Sequence, residues 1–244
     1  YPLVEDLAQL TYLVNLNSIE LHVPQWRVAD GEPLNPDRLV IDLDPGKPAG
    51  LHECARVALL LRERLGRLGL DLYPVTSGSK GMQLYAALGG DLTSAQVRDL
   101  AQQLAQEMTA AHPDLVLWKM TKTLRPGKVF LDWSQNVAAK TTICPYSMRG
   151  REDPWAAAPR TWAEVEAGAE DPDTLTQLTG EQVAARLAAD GDLLADLRPD
   201  LAMPWLPDPL LVIAGNGAPP IRASEAAAVY AVMRVHRSSE AMPR

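Results

Sequence analysis

Apolar residues recur at helical spacing in three stretches of the chain. Leu3, Leu7, Leu10 and Val14 mark a first helix over residues 3–15. Leu51, Ala55, Ala58, Leu61, Leu65 and Leu68 line one face of a second, 51–68, with Arg and Glu opposite. Val97, Leu100, Leu104 and Met108 continue a third that starts near Thr93, where Thr93 and Gln96 have capping-box spacing. Shorter apolar runs read as strands: SIELHV (18–23), RLVIDLD (38–44), LDLYPVTS (70–77), MQLYAAL (82–88), DLVLWKM (114–120), KVFLDWS (128–134) and TTICPYS (141–147). DGEPLNPD (30–37) and TKTLRPG (121–127) read as loops, and SGSKG (77–81) as the turn of a hairpin between the third and fourth of these strands. Past Arg149 the chain turns to alanine, proline and acid, with short helices expected at 161–167 and 180–197. Strands and helices mix without strict alternation. That predicts an α+β fold, with mixed or antiparallel sheets flanked by helices. Residues 1–197 form the expected core and 198–244 a Pro-rich carboxy-terminal tail.

One strand breaks the apolar pattern. In VIDLDPG (40–46), Asp42 and Asp44 share one face, and Leu39, Ile41 and Leu43 share the other. Two neighbouring carboxylates repel, and burying them uncompensated is unfavourable. A divalent cation, a basic side chain or a shared proton would offset this. Asp132, in KVFLDWS, is a third acid in a strand. A DxD pair plus a distant carboxylate suits two hard divalent cations and phosphate chemistry. The bland alternative is a strand-ending acid and a Lys-paired Asp132.

The net charge of −8 argues against a nucleic-acid partner when taken alone. Its distribution changes that. Lys119, Lys122, Arg125 and Lys128 fall within KMTKTLRPGK, and Gln135, Lys140, Arg149 and Arg151 follow, so basic groups straddle Asp132. TSGSKG (76–81) offers small residues, hydroxyls and Lys80 to an anion, although an exposed hairpin turn has the same composition. His22 lies in a strand near the acids, and Trp133 reads as core. The chain has two cysteines, Cys54 and Cys144, no CxxC and few histidines, which argues against zinc and excludes a disulfide framework. The two thiols are expected to be free, in a reducing cytoplasm. No apolar run reaches membrane-spanning length, so no membrane partner is expected.

Taken together, IELHVPQW, LVIDLDPG, YPVTSGSKGMQLY, MTKTLRPGKVFLDWSQN and KTTICPYSMRGR resemble the polymerase domain of bacterial ligase D, a member of the archaeo-eukaryotic primase superfamily. The resemblance runs from about residue 5 to residue 197 and implies a primase-polymerase-like catalytic core. It implies that Asp42, Asp44 and Asp132 are catalytic and bind two divalent cations, manganese or magnesium. It implies nucleotide contacts at His22, Ser77, Lys80, Gln135 and Arg149, and DNA contacts at Lys122, Arg125 and Lys128. The implied activity is template-directed nucleotidyl transfer in non-homologous end joining, with ribonucleotides preferred. The implied partners are nucleoside triphosphates, DNA ends or gapped duplex, a DNA ligase and an end-binding protein, in a bacterial cytoplasm near the nucleoid. Gln83 stands where many relatives carry His. The resemblance starts after the family's basic, aromatic amino-terminal segment, so the sequence reads as a shortened piece or a reduced relative. A metal-dependent nuclease and a non-catalytic DNA-end binding module are the alternatives.

Overall fold

A computed structural model describes residues 2–197. The expected tail from 198 lies outside the described residues. Helix α1 (Leu7–Asn15) is followed by β1 (His22–Val23), β2 (Trp26–Ala29), β3 (Glu32–Pro36), β4 (Arg38–Pro45) and α2 (Leu51–Gly66). Next come β5 (Tyr73–Thr76), β6 (Met82–Ala87), α3 (Ser94–Ala111), β7 (Val116–Leu117), β8 (Val129–Asp132) and β9 (Thr142–Ile143). Then follow β10 (Trp155–Ala156), β11 (Ala158–Pro159), α4 (Trp162–Glu170), β12 (Leu178–Thr179) and α5 (Gly180–Asp190).

The centre is a six-stranded sheet in the order β11-β5-β6-β4-β8-β7. Its pairs are antiparallel except β7 with β8. This bears out the α+β expectation with a mixed sheet. Leu39, Ile41 and Leu43 of β4, Met82 and Leu84 of β6, and Val129 and Leu131 of β8 form one apolar face. Helices α2 and α3 cover it with Cys54, Ala58, Leu61, Leu65, Val97, Leu104 and Met108. Each side chain of this size contributes about 1.5–3 kcal/mol when fully removed from water. That burial leaves β4 one orientation, with Val40, Asp42 and Asp44 on the opposite face.

Several local expectations are corrected. Residues 32–36 form a strand rather than a loop. The turn Asp30-Gly31 has positive φ at both residues (52° and 81°), the geometry that joins β2 and β3 in a tight hairpin. Helix α1 starts at Leu7 because Asp6 caps it by accepting from the Gln9 amide. Leu100 is exposed, and Ala101 and Ala105 take its place on the buried face of α3. Helix α5 stops at Asp190, where Gly191 adopts φ of 77°. The strands expected at 18–23, 114–120 and 141–147 shrink to two residues each. The capping box at Thr93 and Gln96 and the β5–β6 hairpin are as expected. Both cysteines are free and buried.

Two glycines let segments press onto β4. A Cβ at Gly81 would lie 2.0 Å from the Leu43 carbonyl oxygen, and one at Gly46 would lie 2.2 Å from that of Arg125. We expect Gly81→Ala to destabilise the protein by about 1–3 kcal/mol through this overlap. Gly66→Ala, at a helical site with nothing within 4 Å, should instead gain roughly 0.5 kcal/mol. Urea denaturation midpoints of the two variants check both signs.

Candidate active site

The pairing of β4 with β8 sets Asp42 directly opposite Asp132, and its pairing with β6 sets Asp42 opposite Gln83. Directly opposed residues lie on the same face. Asp42, Asp44 and Asp132 therefore share one face of the central sheet, the first two as strand alternation predicts and the third through the β4–β8 register. A short 3-10 turn, Trp133–Asn136, follows Asp132. Asn136 fastens that turn to β4: its amide donates to the Val40 carbonyl at 2.8 Å, and its oxygen accepts from the Val40 N–H at 3.0 Å. Trp133 packs against the core and donates to the Trp118 carbonyl.

The three acids differ in their surroundings. Asp132 is held by neutral donors: the Ser134 amide (3.1 Å) and hydroxyl (2.5 Å) on one oxygen, and the Gln135 amide (3.0 Å) on the other. Lys140 in turn donates to the Ser134 hydroxyl. Gln135, expected at the nucleotide, thus lies against Asp132. Asp44 faces cations at longer range, with Lys80 Nζ at 3.5 Å and Arg125 Nη1 at 3.9 Å. The Arg125 guanidinium lies 3.9 Å from the ring centroid of Phe130, which sits opposite Asp44. Asp42 has no cationic partner in contact among the described residues. Burial first, and then the charges of Asp44 and Asp132, push its carboxyl up from 3.8 to about 7, against the hydrogen bond from Gln83. The Gln83 oxygen accepts from buried Tyr85 at 2.7 Å, which orients the amide towards the acid.

The uncompensated charge at Asp42 is what a divalent cation would relieve, and three carboxylates are the donors such a cation takes. Among the described residues, no group of three or more His, Cys, Asp or Glu side chains is already drawn into a metal-ligand set. The Asp132 oxygens are engaged by Ser134 and Gln135 instead. The donor types fit a divalent cation, although the side chains as placed do not form a ready ligand set.

The SGSKG turn lies at the end of β6, beside Leu43. Its backbone donors are largely spent. The Ser77 amide donates to the Gly81 carbonyl, the Gly78 amide to Gln177, and the Ser79 amide to the Ser77 hydroxyl oxygen at 3.3 Å. Among the groups it can offer an anion are the hydroxyl protons and Lys80, whose side chain is 60% exposed. A Cβ at Gly78 would lie 2.6 Å from Arg149 Cγ, so the glycine lets the Arg149 stem lie along the turn. Arg149 donates to Glu20 at 3.2 Å, and His22 contacts the same carboxylate oxygen at 3.0 Å. Of the basic loop, Lys122 is exposed at the start of a 3-10 turn, whereas Lys128 donates to the Pro113 carbonyl at 2.5 Å.

Sequence reasoning missed Glu20, Gln177, Ser134 and the role of Lys140. Glu20 stands two residues before His22, a spacing that puts both on one side of an extended segment. That was its only signal. Gln177 lies 99 residues from Gly78, and nothing local announces it.

The sequence model of the family described as "LigD, primase-polymerase domain" matches residues 1–194. The chain is 48% identical over 207 residues to the "Multifunctional non-homologous end joining DNA repair protein LigD" of Mycobacterium tuberculosis, covering 82% of this chain and 26% of that protein. It is 36% identical over 164 residues to the "Bifunctional non-homologous end joining protein LigD" of Bacillus subtilis, covering 67% of this chain and 26% of that protein. The chain thus spans about a quarter of the length of these relatives. Among solved structures, it is similar to the "Polymerase Domain from Mycobacterium tuberculosis Ligase D in complex with DNA". The TM-score is 0.77 at 46% identity, over 82% of this chain and 70% of that one.

The raised Asp42 carboxyl has a signed consequence for the metal-free protein. The fold disfavours its ionised form, so its contribution to stability is fully present below about pH 4 and is lost as pH rises through about 7. With a chelator present, Asp42→Asn is expected to raise stability by roughly 2 kcal/mol at pH 8, discounted for the partial exposure of this residue, and by little at pH 4. Thermal melts across that range read the difference.

Proposed function

The chain belongs to the LigD primase-polymerase family, and from that premise we propose that it is a template-directed nucleotidyltransferase that extends primers and fills short gaps at DNA ends. The observation that carries this reading is the convergence of Asp42, Asp44 and Asp132 on one sheet face, with Lys80 and Arg125 reaching Asp44 and Arg149 lying along the SGSKG turn. Acids for cations beside bases for a triphosphate are the parts that phosphoryl-transfer chemistry needs.

Asp42, Asp44 and Asp132 would hold two divalent cations, manganese or magnesium, which when bound activate a primer 3′-hydroxyl and neutralise the leaving pyrophosphate. The rest of the work falls to this chain's own side chains. Lys80 and Arg149 bind the triphosphate by charge. The Ser77 hydroxyl donates to it, and His22 contacts it from the β1 side. Gln135 keeps Asp132 oriented and offers its carbonyl to the nucleotide. Gln83, anchored by Tyr85, steadies Asp42. Lys122 and Arg125 face the DNA, and Lys128 joins them by exchanging the Pro113 carbonyl for a phosphate. No side-chain general base is required.

The preferred substrates are ribonucleoside triphosphates and a gapped duplex. The chain works in the bacterial cytoplasm at the nucleoid, beside a DNA ligase and an end-binding protein. No helix among the described residues is long and apolar enough to cross a membrane.

Primer extension on a gapped duplex with manganese, comparing ribo- and deoxyribonucleoside triphosphates, tests the reading. The strand should lengthen, and faster with ribonucleotides. Shortening would indicate a nuclease; no reaction, with DNA still bound, would indicate a binding module. Replacing Asp42, Asp44 or Asp132 by Ala should lower the rate by at least about a hundredfold. Lys80→Ala should instead raise KM for the nucleotide by about ten- to a hundredfold, the value of one charge-assisted hydrogen bond.

A further inference from the structure

The carboxylate of Glu20 gathers three donors from two distant parts of the chain. One oxygen lies 3.0 Å from His22 Nε2 and 3.2 Å from Arg149 Nη1, and the other accepts from the Gly150 backbone N–H at 2.9 Å. Burial raises the pKa of this carboxyl, but the hydrogen bonds from His22 and Gly150 and the charge of Arg149 outweigh burial and hold it below the usual value. It is therefore ionised at neutral pH. Its donors are the two basic groups that the preceding reading assigns to the triphosphate, plus a main-chain amide that fixes where the carboxylate sits.

The geometry of Arg149 gives this contact its meaning. Its stem is wedged against Gly78, where a Cβ would lie 2.6 Å from Cγ and 2.8 Å from the Ala156 carbonyl carbon. Its Nε is buried with no hydrogen-bond partner. Only Nη1 is committed, to Glu20. A guanidinium held at its stem by packing and at one Nη by a carboxylate has few ways to turn, and its second Nη enters no hydrogen bond among the described residues. His22 is more exposed, at 40% of its side chain, and Glu20 is its hydrogen-bond partner. Without Glu20, both side chains would sample more rotamers, and ordering them on a ligand would consume binding free energy.

We propose that Glu20 is a positioning residue: it holds Arg149 and His22 as one preorganised anion-binding pair at the edge of the SGSKG turn. It does so without touching the nucleotide. The proposal rests on the nucleotide-site reading above. It differs from a competing role, in which the carboxylate fills the place of a phosphate and must be expelled. The anchor to the Gly150 amide favours positioning, because that contact leaves Glu20 in place while the second Nη of Arg149 engages a ligand.

The two roles predict opposite signs. In the full chain, binding of UTP with manganese is measured by calorimetry, and kcat and KM for UTP by primer extension. Glu20→Ala should weaken UTP binding and raise KM by about tenfold. It should leave kcat within about twofold. Glu20→Gln, whose single amide oxygen can still accept from Gly150 but which lacks the charge and the second acceptor, should recover part of the loss, and it serves in place of Glu20→Ala should that variant fail to fold. The double variant Glu20→Ala/Arg149→Ala should bind UTP about as weakly as Arg149→Ala alone. Unchanged affinity in Glu20→Ala, with Arg149→Ala impaired, would overturn the positioning role alone. Tighter binding would overturn it in favour of the competing role. Unchanged affinity in Arg149→Ala itself would overturn the nucleotide-site reading, and the present proposal with it.

Discussion

The antiparallel register between β4 and β8 is the constraint on which the rest of the site depends. A slip of one residue would rotate Asp132 to the helix-covered face and leave Asp42 opposite an apolar side chain. The register is held from both sides of the sheet. On one face Leu43 and Leu131, directly opposed, are buried beneath α2 and α3. On the other, Asn136 continues the pairing beyond Asp132 by bonding both polar backbone groups of Val40. Crowding three acids is unfavourable in itself, and the apolar burial behind them is what makes the arrangement tolerable.

The site is assembled from segments that glycine allows close. Gly81 brings the SGSKG turn onto Leu43, Gly46 brings Arg125 against the end of β4, and Gly78 admits the stem of Arg149. The first two bring Lys80 and Arg125 to Asp44, and the third sets Arg149 against Glu20. The net charge of −8 hides this, because the cations that matter are few and are placed by packing rather than by abundance.

Much of this was legible in the sequence. The alternation in RLVIDLD separated the acids from the leucines, and the long apolar periodicities located α2 and α3. Those signals are local, and the structure obeys them. What could not be read depends on contacts between residues far apart in the chain. Gln177 braces a turn 99 residues away, and Glu20 meets Arg149 across 129. The hairpin of β2 and β3 was missed for a different reason: Pro33 and Pro36 suggest a loop, whereas the positive φ of Asp30 and Gly31 closes a tight turn that tolerates them in an edge pair. Leu100 shows the limit of periodicity, since alanines one position on fit more closely under the sheet.

The acid-bearing face is not uniformly polar. Val40, Val75 and Tyr85 lie on it too, sealed by Ile143, Ala157, Leu194 and Leu197. The carboxylates therefore stand at the margin of a dry, weakly polarisable wall. Field lines that cannot spread backwards emerge towards water, so the potential in front of the acids exceeds what three isolated carboxylates would produce. A cation diffusing past that face is drawn towards it before touching an oxygen atom, and the hydrophobic backing of the sheet is part of that attraction.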